Sequence, residues 1–216
     1  MGAGINKQFL SLNGIPLLAH TIRIFDESPM VSEIVVVSAS QDLSRVQEII
    51  QTFNFQKVTA TPVGGAERQE SVFAGLKALS EAIQTVVVHD GARPLLTLEA
   101  FHRFLAEAAG NTAAIMAVPL KDTVKRINPE GFVEETPSRD SLRAVQTPQI
   151  FVRRILEEIH RKAASAGIRA TDDASLLEWA GYPVRVLSGL EENIKITTQQ
   201  DLRLAEQIIA ARNQRL

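Results

Sequence analysis

Cysteine is absent from the sequence, which excludes disulfide bonds and thiolate metal sites. Aromatic residues make up only 5% of the 216 positions, too few to predict a surface that stacks the bases of single-stranded nucleic acid. The net charge of -2 provides no basic field for nucleic acid either. No apolar run approaches the ~20 residues of a membrane span, and no signal peptide is recognisable. We therefore expect a cytoplasmic protein that binds neither nucleic acid nor membranes.

Hydrophobic strands alternate with amphipathic helices along the chain. This alternation predicts an α/β fold in which helices cover both faces of a parallel or mixed sheet. Residues 1–216 are 45% hydrophobic and contain neither a repeat nor a linker, so we predict a single domain. Strands are predicted at 34–37, 58–60, 85–88, 113–118 and 184–187. Helices in the later part of the chain are predicted at 69–83, 97–109, 150–166, 171–180 and 199–216.

The sequence HDGARP at positions 89–94 directly follows three valines at 86–88. The valines predict a buried strand, and ligands of open α/β sheets bind beyond the carboxyl ends of such strands. We therefore predict that Asp90 and Arg93 face a ligand that contains a metal ion and phosphate. The alternative is an ordinary turn in which Asp90 caps backbone amides and Arg93 is solvated.

A loop with two glycines, Gly64 and Gly65, joins a predicted strand to a predicted helix. Glycine allows backbone N–H groups to approach a ligand, and a helix N-terminus favours anions. Arg68 and Ser71 lie near the first turn of that helix. The pattern predicts an anion site, although a glycine turn with ordinary polar residues would have the same sequence.

Two lysines are candidate phosphate ligands. Lys7 precedes the first predicted helix, and Lys195 lies between Ile194 and Ile196 in a β-like segment. Alternation in that segment points the Lys195 side chain away from the two isoleucines. If the isoleucines face the core, Lys195 faces either solvent or a cleft.

Residues 119–146 interrupt the alternation with a polar, charged stretch. Two short β-like runs at 123–127 and 132–135 flank a turn signal, which predicts a protruding hairpin arm. Such an arm cannot bury itself and often packs on a partner subunit. A long surface loop is the alternative. Arg139, near the end of the arm, is either solvated or reaches an anion across a dimer interface.

Two threonines precede predicted helices. Thr147 opens the sequence TPQ, and Thr171 opens TDD. Thr or Asp at such a position is first of all a helix N-cap candidate, so a ligand role needs support from elsewhere. Asp172 and Asp173 form an acid pair or, more commonly for acids at a helix start, complement the macrodipole. The four histidines lack a metal-binding spacing, and Trp179 and Tyr182 are expected to pack against the core.

Taken in order, these motifs resemble those of the 2-C-methyl-D-erythritol 4-phosphate cytidylyltransferase family of the non-mevalonate isoprenoid pathway. The resemblance covers essentially the whole chain. The matching stretches are KQF from Lys7, GIPLL from Gly14, Gly65 with Arg68 and Ser71, VHDGARP from Val88, QTPQ from Gln146, TDDAS from Thr171 and NIKIT from Asn193.

The resemblance implies the conversion of CTP and 2-C-methyl-D-erythritol 4-phosphate to CDP-methylerythritol and pyrophosphate, with Mg²⁺ as cofactor. It implies a GT-A-like nucleotidyltransferase fold, in which a Rossmann-like, mostly parallel sheet has helices on both faces and carries a β-arm. It also implies a homodimer joined by the arm at 119–146.

Carried over motif by motif, the resemblance implies roles for individual residues. The catalytic residues would be Lys7, Arg139 and Lys195, and Asp90 would lie by the metal. The CTP side would comprise Gly65, Arg68, Ser71, Asp90, Gly91 and Arg93, and the methylerythritol phosphate side Thr123, Thr147 and Thr171. Arg139 and Thr123 on the arm would reach the substrate of the partner subunit.

The sequence departs from the family pattern in two places. The family normally opens with a hydrophobic strand and an AAGxGxRM loop, and Met1 resembles the last residue of that loop. We expect that the native start lies upstream or that the sequence is shortened, and that 216 residues alone have weak or no activity. Glu191 stands where the family often has Asp near the metal. Two alternatives are a ribitol-5-phosphate cytidylyltransferase, which shares the nucleotide side, and a non-catalytic CTP-binding protein.

Overall fold

The computed structural model describes residues 6–214. The β-strands are β1 (Ser11–Leu12), β2 (Ile15–Pro16), β3 (Ile34–Val35), β4 (Val58–Ala60), β5 (Thr85–Val88), β6 (Ala113–Pro119), β7 (Arg126–Ile127), β8 (Val133–Glu135), β9 (Arg143–Val152) and β10 (Arg185–Ser188). The α-helices are α1 (Leu17–Glu27), α2 (Leu43–Thr52), α3 (Arg68–Ala78), α4 (Leu98–Ala108), α5 (Arg153–Ala166), α6 (Asp173–Trp179) and α7 (Gln199–Asn213). Short 3-10 turns cover Lys7–Phe9, Ser40–Asp42 and Arg139–Ser141.

The main sheet has the strand order β10-β6-β9-β5. Strand β10 is parallel to β6, and β9 is antiparallel to both of its neighbours, β6 and β5. Three strands therefore run in one direction and β9 runs against them, which confirms an α/β fold with a mixed sheet.

Helices cover both faces of this sheet. Alternate residues of β6 point to opposite faces, and each set packs against different helices. Ala113 and Ile115 pack in one buried cluster with residues of α5 and α6. Ala114 and Met116 pack in another with residues of α4. Two of the apolar clusters of the core therefore lie on opposite faces of the sheet.

The predicted helix at 150–166 begins later than the sequence indicates. Residues 150–152 belong to β9, and Thr147 lies inside that strand rather than at a helix start. Thr147 followed by Pro148 resembles an N-cap with a proline in the first turn. Strand β9 instead pairs with two neighbours, and this non-local pairing outweighs the local helix signal.

The end of helix α3 is held by a side chain from another helix. Helix α3 ends at Ala78 rather than at 83, and Arg153 donates to the carbonyls of Leu76 and Leu79, both at 3.2 Å.

Trp179 was expected to pack against the core, but it is 45% exposed. Within residues 6–214, no helix combines the length and the apolar composition needed to cross a membrane.

A second, two-stranded parallel sheet is formed by β3 and β4. A cavity of about 470 Å³ is lined by residues of β3 and of β5. Its walls are mainly apolar and include Val36, Val86 and Ile22 of α1. Asp90 and Arg68 also line this cavity, so it reaches the carboxyl end of β5.

The predicted arm is a hairpin of β7 and β8. Gly131, with φ of 88°, provides the left-handed turn between the strands. The arm exposes three apolar side chains, Ile127, Phe132 and Val133, at 61%, 71% and 58%. Its predicted boundaries at 119–146 are too wide, because Pro119 and Arg143 already pair with each other in the main sheet.

Candidate functional site

Asp90 lies just beyond the end of β5 and is surrounded by three cations. Its Oδ2 is 3.0 Å from Lys195 Nζ and 3.4 Å from Arg93 Nε, and its Oδ1 is 3.8 Å from Arg68 Nε. The Asp90 side chain is 16% exposed, that of Arg93 12%, that of Arg68 35% and that of Lys195 47%. We call these four residues the Asp90 cluster.

The Asp90 cluster carries a surplus of positive charge. Burial by itself raises the pKa of Asp90, but the neighbouring charges of Lys195, Arg68 and Arg93 outweigh burial and hold that pKa below its ordinary value. Asp90 is therefore ionised at neutral pH and faces three cations. One of them, Arg68, also pairs with the buried Asp173, so three cations face two carboxylates and one positive charge is in surplus. Such a surplus at the mouth of a cavity suits an anionic ligand, above all phosphate.

The loop that carries Asp90 is fixed from several sides. The Asp90 N–H donates to Thr147 Oγ1 at 3.0 Å, and the Arg93 N–H donates to Asp90 O at 3.0 Å. Thr21 Oγ1 of α1 donates to Gly91 O at 3.1 Å. His89 Nε2 donates to Arg93 O at 3.1 Å, and burial lowers the pKa of His89 to about 4, so its ring is neutral. Thr147 thus positions the backbone of Asp90.

Lys195 is held in place through its neighbours. Ile196 is fully buried, whereas Lys195 extends to the other side toward Asp90. The Ile196 N–H donates to Ala92 O at 2.9 Å, and Arg93 Nη1 donates to Asn193 O at 2.8 Å. The alternation of the NIKIT motif therefore directs its lysine into the cleft, although residues 193–197 form no regular strand.

The glycine loop is tightly packed, and some of its amides are already hydrogen-bonded within the protein. A Cβ at Gly65 would lie 2.3 Å from the Cβ of Glu70, so the position has no room for a side chain. The Glu70 carboxylate accepts the N–H of Ala66 at 2.8 Å and takes part in a capping box at the start of α3. This side chain occupies a backbone donor that the sequence suggested for an anion. Ser71 donates to Glu67 O at 3.1 Å and lines the cavity.

The other residues selected from the sequence lie outside the Asp90 cluster. Lys7 is exposed on the first 3-10 turn, and Thr171 is exposed just before α6. Thr123 and Arg139 are exposed on the arm. Arg139 donates to Lys121 O at 3.2 Å and lines a second cavity, of about 510 Å³.

Some residues of the site were not selected from the sequence. Asn193 is fully buried and donates to Thr147 O at 2.9 Å, which joins the Lys195 segment to β9. Gln149 is 1% exposed and donates to Asp172. Within the described chain, Asn193 Oδ1 and Gln149 Oε1 are buried without a hydrogen-bond partner. The available signal was that Gln149 ends the QTPQ motif and Asn193 opens the NIKIT motif.

Asp173 makes a contact with the Asp90 cluster that the sequence did not predict. It is fully buried rather than a solvated helix-start acid, and its Oδ2 accepts Arg68 Nη1 at 2.6 Å. Asp172, by contrast, caps α6 by accepting the N–H of Ser175 at 3.0 Å.

The described residues contain no group of three or more acids and histidines that could hold a metal ion by themselves. Asp90 offers one carboxylate. Mg²⁺ is often bound by one or two carboxylates together with substrate phosphates, so this donor set fits a metal that arrives with a nucleotide.

Comparison with known proteins places the chain among nucleotidyltransferases. The sequence model of the family described as 2-C-methyl-D-erythritol 4-phosphate cytidylyltransferase matches residues 1–211. The protein of that name from Halalkalibacterium halodurans is 45% identical over 215 residues, covering 100% of this chain and 93% of the relative. The one from Geobacillus kaustophilus is 45% identical over 212 residues, covering 98% and 92%. The crystal structure of 4-diphosphocytidyl-2C-methyl-D-erythritol synthase from Anaerococcus prevotii has a TM-score of 0.88 at 31% identity, covering 97% of this chain and 92% of that one.

Proposed function

The chain belongs to the 2-C-methyl-D-erythritol 4-phosphate cytidylyltransferase family, and we propose that the Asp90 cluster is the centre at which it performs this reaction. The enzyme converts CTP and 2-C-methyl-D-erythritol 4-phosphate to CDP-methylerythritol and pyrophosphate. The observation that carries the proposal is the position of three cations around one carboxylate at the carboxyl end of β5.

The chemistry requires charge neutralisation more than a protein nucleophile. A phosphate oxygen of methylerythritol phosphate attacks the α-phosphorus of CTP, a new P–O bond forms, and the bond to the β-phosphate oxygen breaks to release pyrophosphate. Both reactants are anions, so catalysis depends on positioning them in line and on stabilising the charge that develops. A cluster with surplus positive charge supplies that stabilisation.

Within this scheme Lys195 holds and aims the attacking phosphate. Its Nζ is within reach of Asp90 yet its side chain is 47% exposed, so it remains accessible to a ligand. Lys7 is assigned to the α-phosphate. The CTP side comprises Gly65, Arg68, Ser71, Asp90, Gly91 and Arg93.

Mg²⁺ fits the donor set, and Asp90 would hold it together with phosphate oxygens of the nucleotide. When bound, such an ion neutralises triphosphate charge and stabilises the leaving pyrophosphate. The neighbouring charges of Lys195, Arg68 and Arg93 hold the pKa of Asp90 below its ordinary value, so its carboxylate is ionised, which is the state that binds a cation.

We assign the arm to a homodimer interface and to the second substrate. Its three exposed apolar side chains favour a protein partner over solvent. Arg139 shares its cavity with Lys121, Arg143 and one acid, Asp140, so three cations outnumber the carboxylate, which suits a phosphate group. Arg139 and Thr123 would contact methylerythritol phosphate bound to the partner subunit. Thr147 and Thr171 are assigned to the side of the site that binds methylerythritol phosphate.

The test is a pyrophosphate-release assay with CTP, Mg²⁺ and methylerythritol phosphate. We expect turnover, even if weak, to be higher with this polyol phosphate than with ribitol 5-phosphate, and to be lost when EDTA removes the metal. A preference for ribitol 5-phosphate would overturn the substrate assignment. Calorimetry that detects Mg–CTP binding without any turnover would instead indicate a non-catalytic nucleotide-binding protein.

A further inference from the structure

A buried acid and a buried histidine lie behind Arg68, on the side away from Asp90. Asp173 and His160 are both 1% exposed at their side chains. His160 Nε2 is 3.1 Å from Asp173 Oδ1, and Arg68 Nη1 is 2.6 Å from Asp173 Oδ2. Each carboxylate oxygen of Asp173 therefore has its own donor, as a buried carboxylate requires.

The positions of these residues are fixed by packing. The ring of His160, on α5, stacks on Phe73 of α3 with centroids 5.6 Å apart and planes inclined by 4°. Gln69 of α3 donates to Ile168 O at 3.3 Å and accepts the Ala170 N–H at 3.2 Å, which ties α3 to the segment before α6. Arg68 and Asp173 thus meet at the starts of two helices that are anchored to each other.

Arg68 contacts two carboxylates that differ in burial and in their distance from its guanidinium. The contact to Asp173 is short and its acceptor is buried, whereas the distance from Arg68 to Asp90 is 3.8 Å and Asp90 lines the cavity. Although burial by itself lowers the pKa of Arg68, Asp173 and Asp90 raise it above its ordinary value. An incoming anion can compete with Asp90 for Arg68, while the far side of the guanidinium stays bound to Asp173.

We propose that Asp173 and His160 are positioning residues for the reaction, which hold the Arg68 guanidinium at the nucleotide side of the site. His160 fixes the orientation of the Asp173 carboxylate, and Asp173 fixes Arg68. This inference rests on the proposed function, because it takes Arg68 as a ligand of the CTP phosphates. It extends the site by two residues that lie outside the cavity and touch no substrate.

The competing interpretation is a buried ion pair that only stabilises the fold. A purely structural pair would change the free energy of unfolding and leave substrate affinity unchanged. A positioning pair would change the KM for CTP, and its effect would depend on Arg68. The two interpretations therefore differ in a measurable way.

The experiment measures kcat and both KM values for D173N, H160L and H160Q beside the wild-type protein. In D173N, which keeps the shape of the side chain but removes its charge, we expect the KM for CTP to rise about tenfold or more while the KM for methylerythritol phosphate changes less than about twofold. H160L should raise the KM for CTP less, and H160Q, which restores an N–H donor, should recover most of that loss.

Two further variants separate positioning from stability. In an R68Q background, D173N should add little, because the group on which Asp173 acts is already gone. E157Q breaks another partly buried ion pair, Glu157 with Arg153 at 2.6 Å; it should lower stability in urea unfolding and leave the KM for CTP unchanged.

An unchanged KM for CTP in D173N and H160L, with active wild-type protein, would overturn the inference and leave the proposed function intact. If D173N does not fold, H160L and H160Q decide by the same criterion. If turnover of the wild-type protein is too weak to measure, the Mg–CTP affinity measured by calorimetry on the same variants decides the positioning role. A wild-type protein that neither turns over nor binds Mg–CTP would instead count against the proposed function.

Discussion

Lys195 Nζ lies 3.0 Å from Asp90 Oδ2, although the two residues come from opposite halves of the chain. The contact exists because the segment around Asn193 is hydrogen-bonded to both Arg93 and Thr147. Asp90 holds the lysine near the site without burying it, since the Lys195 side chain is 47% exposed. A phosphate group that enters the cleft can therefore bind the Lys195 ammonium group in place of Asp90.

Replacing Lys195 with alanine should lower turnover by at least about a hundredfold, because loss of a group that stabilises the transition state typically costs ~2.7–4 kcal/mol. The measurement is pyrophosphate release at saturating CTP and methylerythritol phosphate. K162A is the matched control, since Lys162 pairs with Glu158 on the surface of α5. Near-wild-type turnover in K195A would contradict the assigned role.

The arm prediction concerns assembly. Replacing Phe132, which is 71% exposed, with aspartate should weaken the dimer, because it places a charge in an apolar contact. Sedimentation equilibrium of wild-type protein and F132D over a range of concentrations measures the effect. M30D is the control, since Met30 is 67% exposed but lies after α1 rather than on the arm. A wild-type protein that is monomeric throughout would contradict the prediction.

Arg139 is expected to act on the substrate of the partner subunit. R139A and K195A should each be nearly inactive, yet an equal mixture allowed to exchange subunits should recover about a quarter of wild-type activity. Half of the dimers would then be mixed, and each mixed dimer would contain one site with both cations. If Arg139 served its own subunit, every site in the mixture would lack a cation and no activity would return.

The pH dependence of stability should reflect His20. Its Nε2 donates to Leu12 O at 2.9 Å, and its pKa lies below the ordinary value, with burial as the main cause. In the unfolded chain the pKa of histidine is about 6.5, so below that pH the unfolded state takes up the proton first and stability falls as pH falls.

Urea unfolding of wild-type protein and H20Q at about pH 7 and about pH 5 tests this expectation. Glutamine keeps an N–H donor and does not titrate, so the wild-type protein should lose more stability than H20Q on acidification. His89, whose pKa is also lowered by burial, is present in both proteins and cancels from the difference. Equal losses in the two proteins would show that His20 does not contribute.

Local patterns predicted the parts of the site that depend on neighbouring residues in the chain. Strand β5, which ends just before Asp90, and the alternation that directs Lys195 away from Ile196 both follow from the sequence. The hairpin of the arm follows from a turn signal between two β-like runs. In each case the deciding interactions are short-range.

The features that were missed depend on distant partners. Strand β9 reads locally as the start of a helix, and only its pairing with β5 and β6 fixes it as a strand. Asp173 reads as an acid at a helix start, and only the presence of Arg68 and His160 explains why it is buried. In neither case do the neighbouring residues in the sequence indicate which distant residues will be the partners.

Pro119 and Arg143 face each other across β6 and β9, so the arm leaves and rejoins the sheet at a single pair of residues. An insertion with adjacent ends can change in length or sequence without shifting the register of the strands that carry it. The arm is therefore an exchangeable module. Under the proposed role of the arm as a dimer interface, grafting the arm of a relative between these two positions should transfer its choice of partner subunit while leaving the nucleotide side of the enzyme as it was.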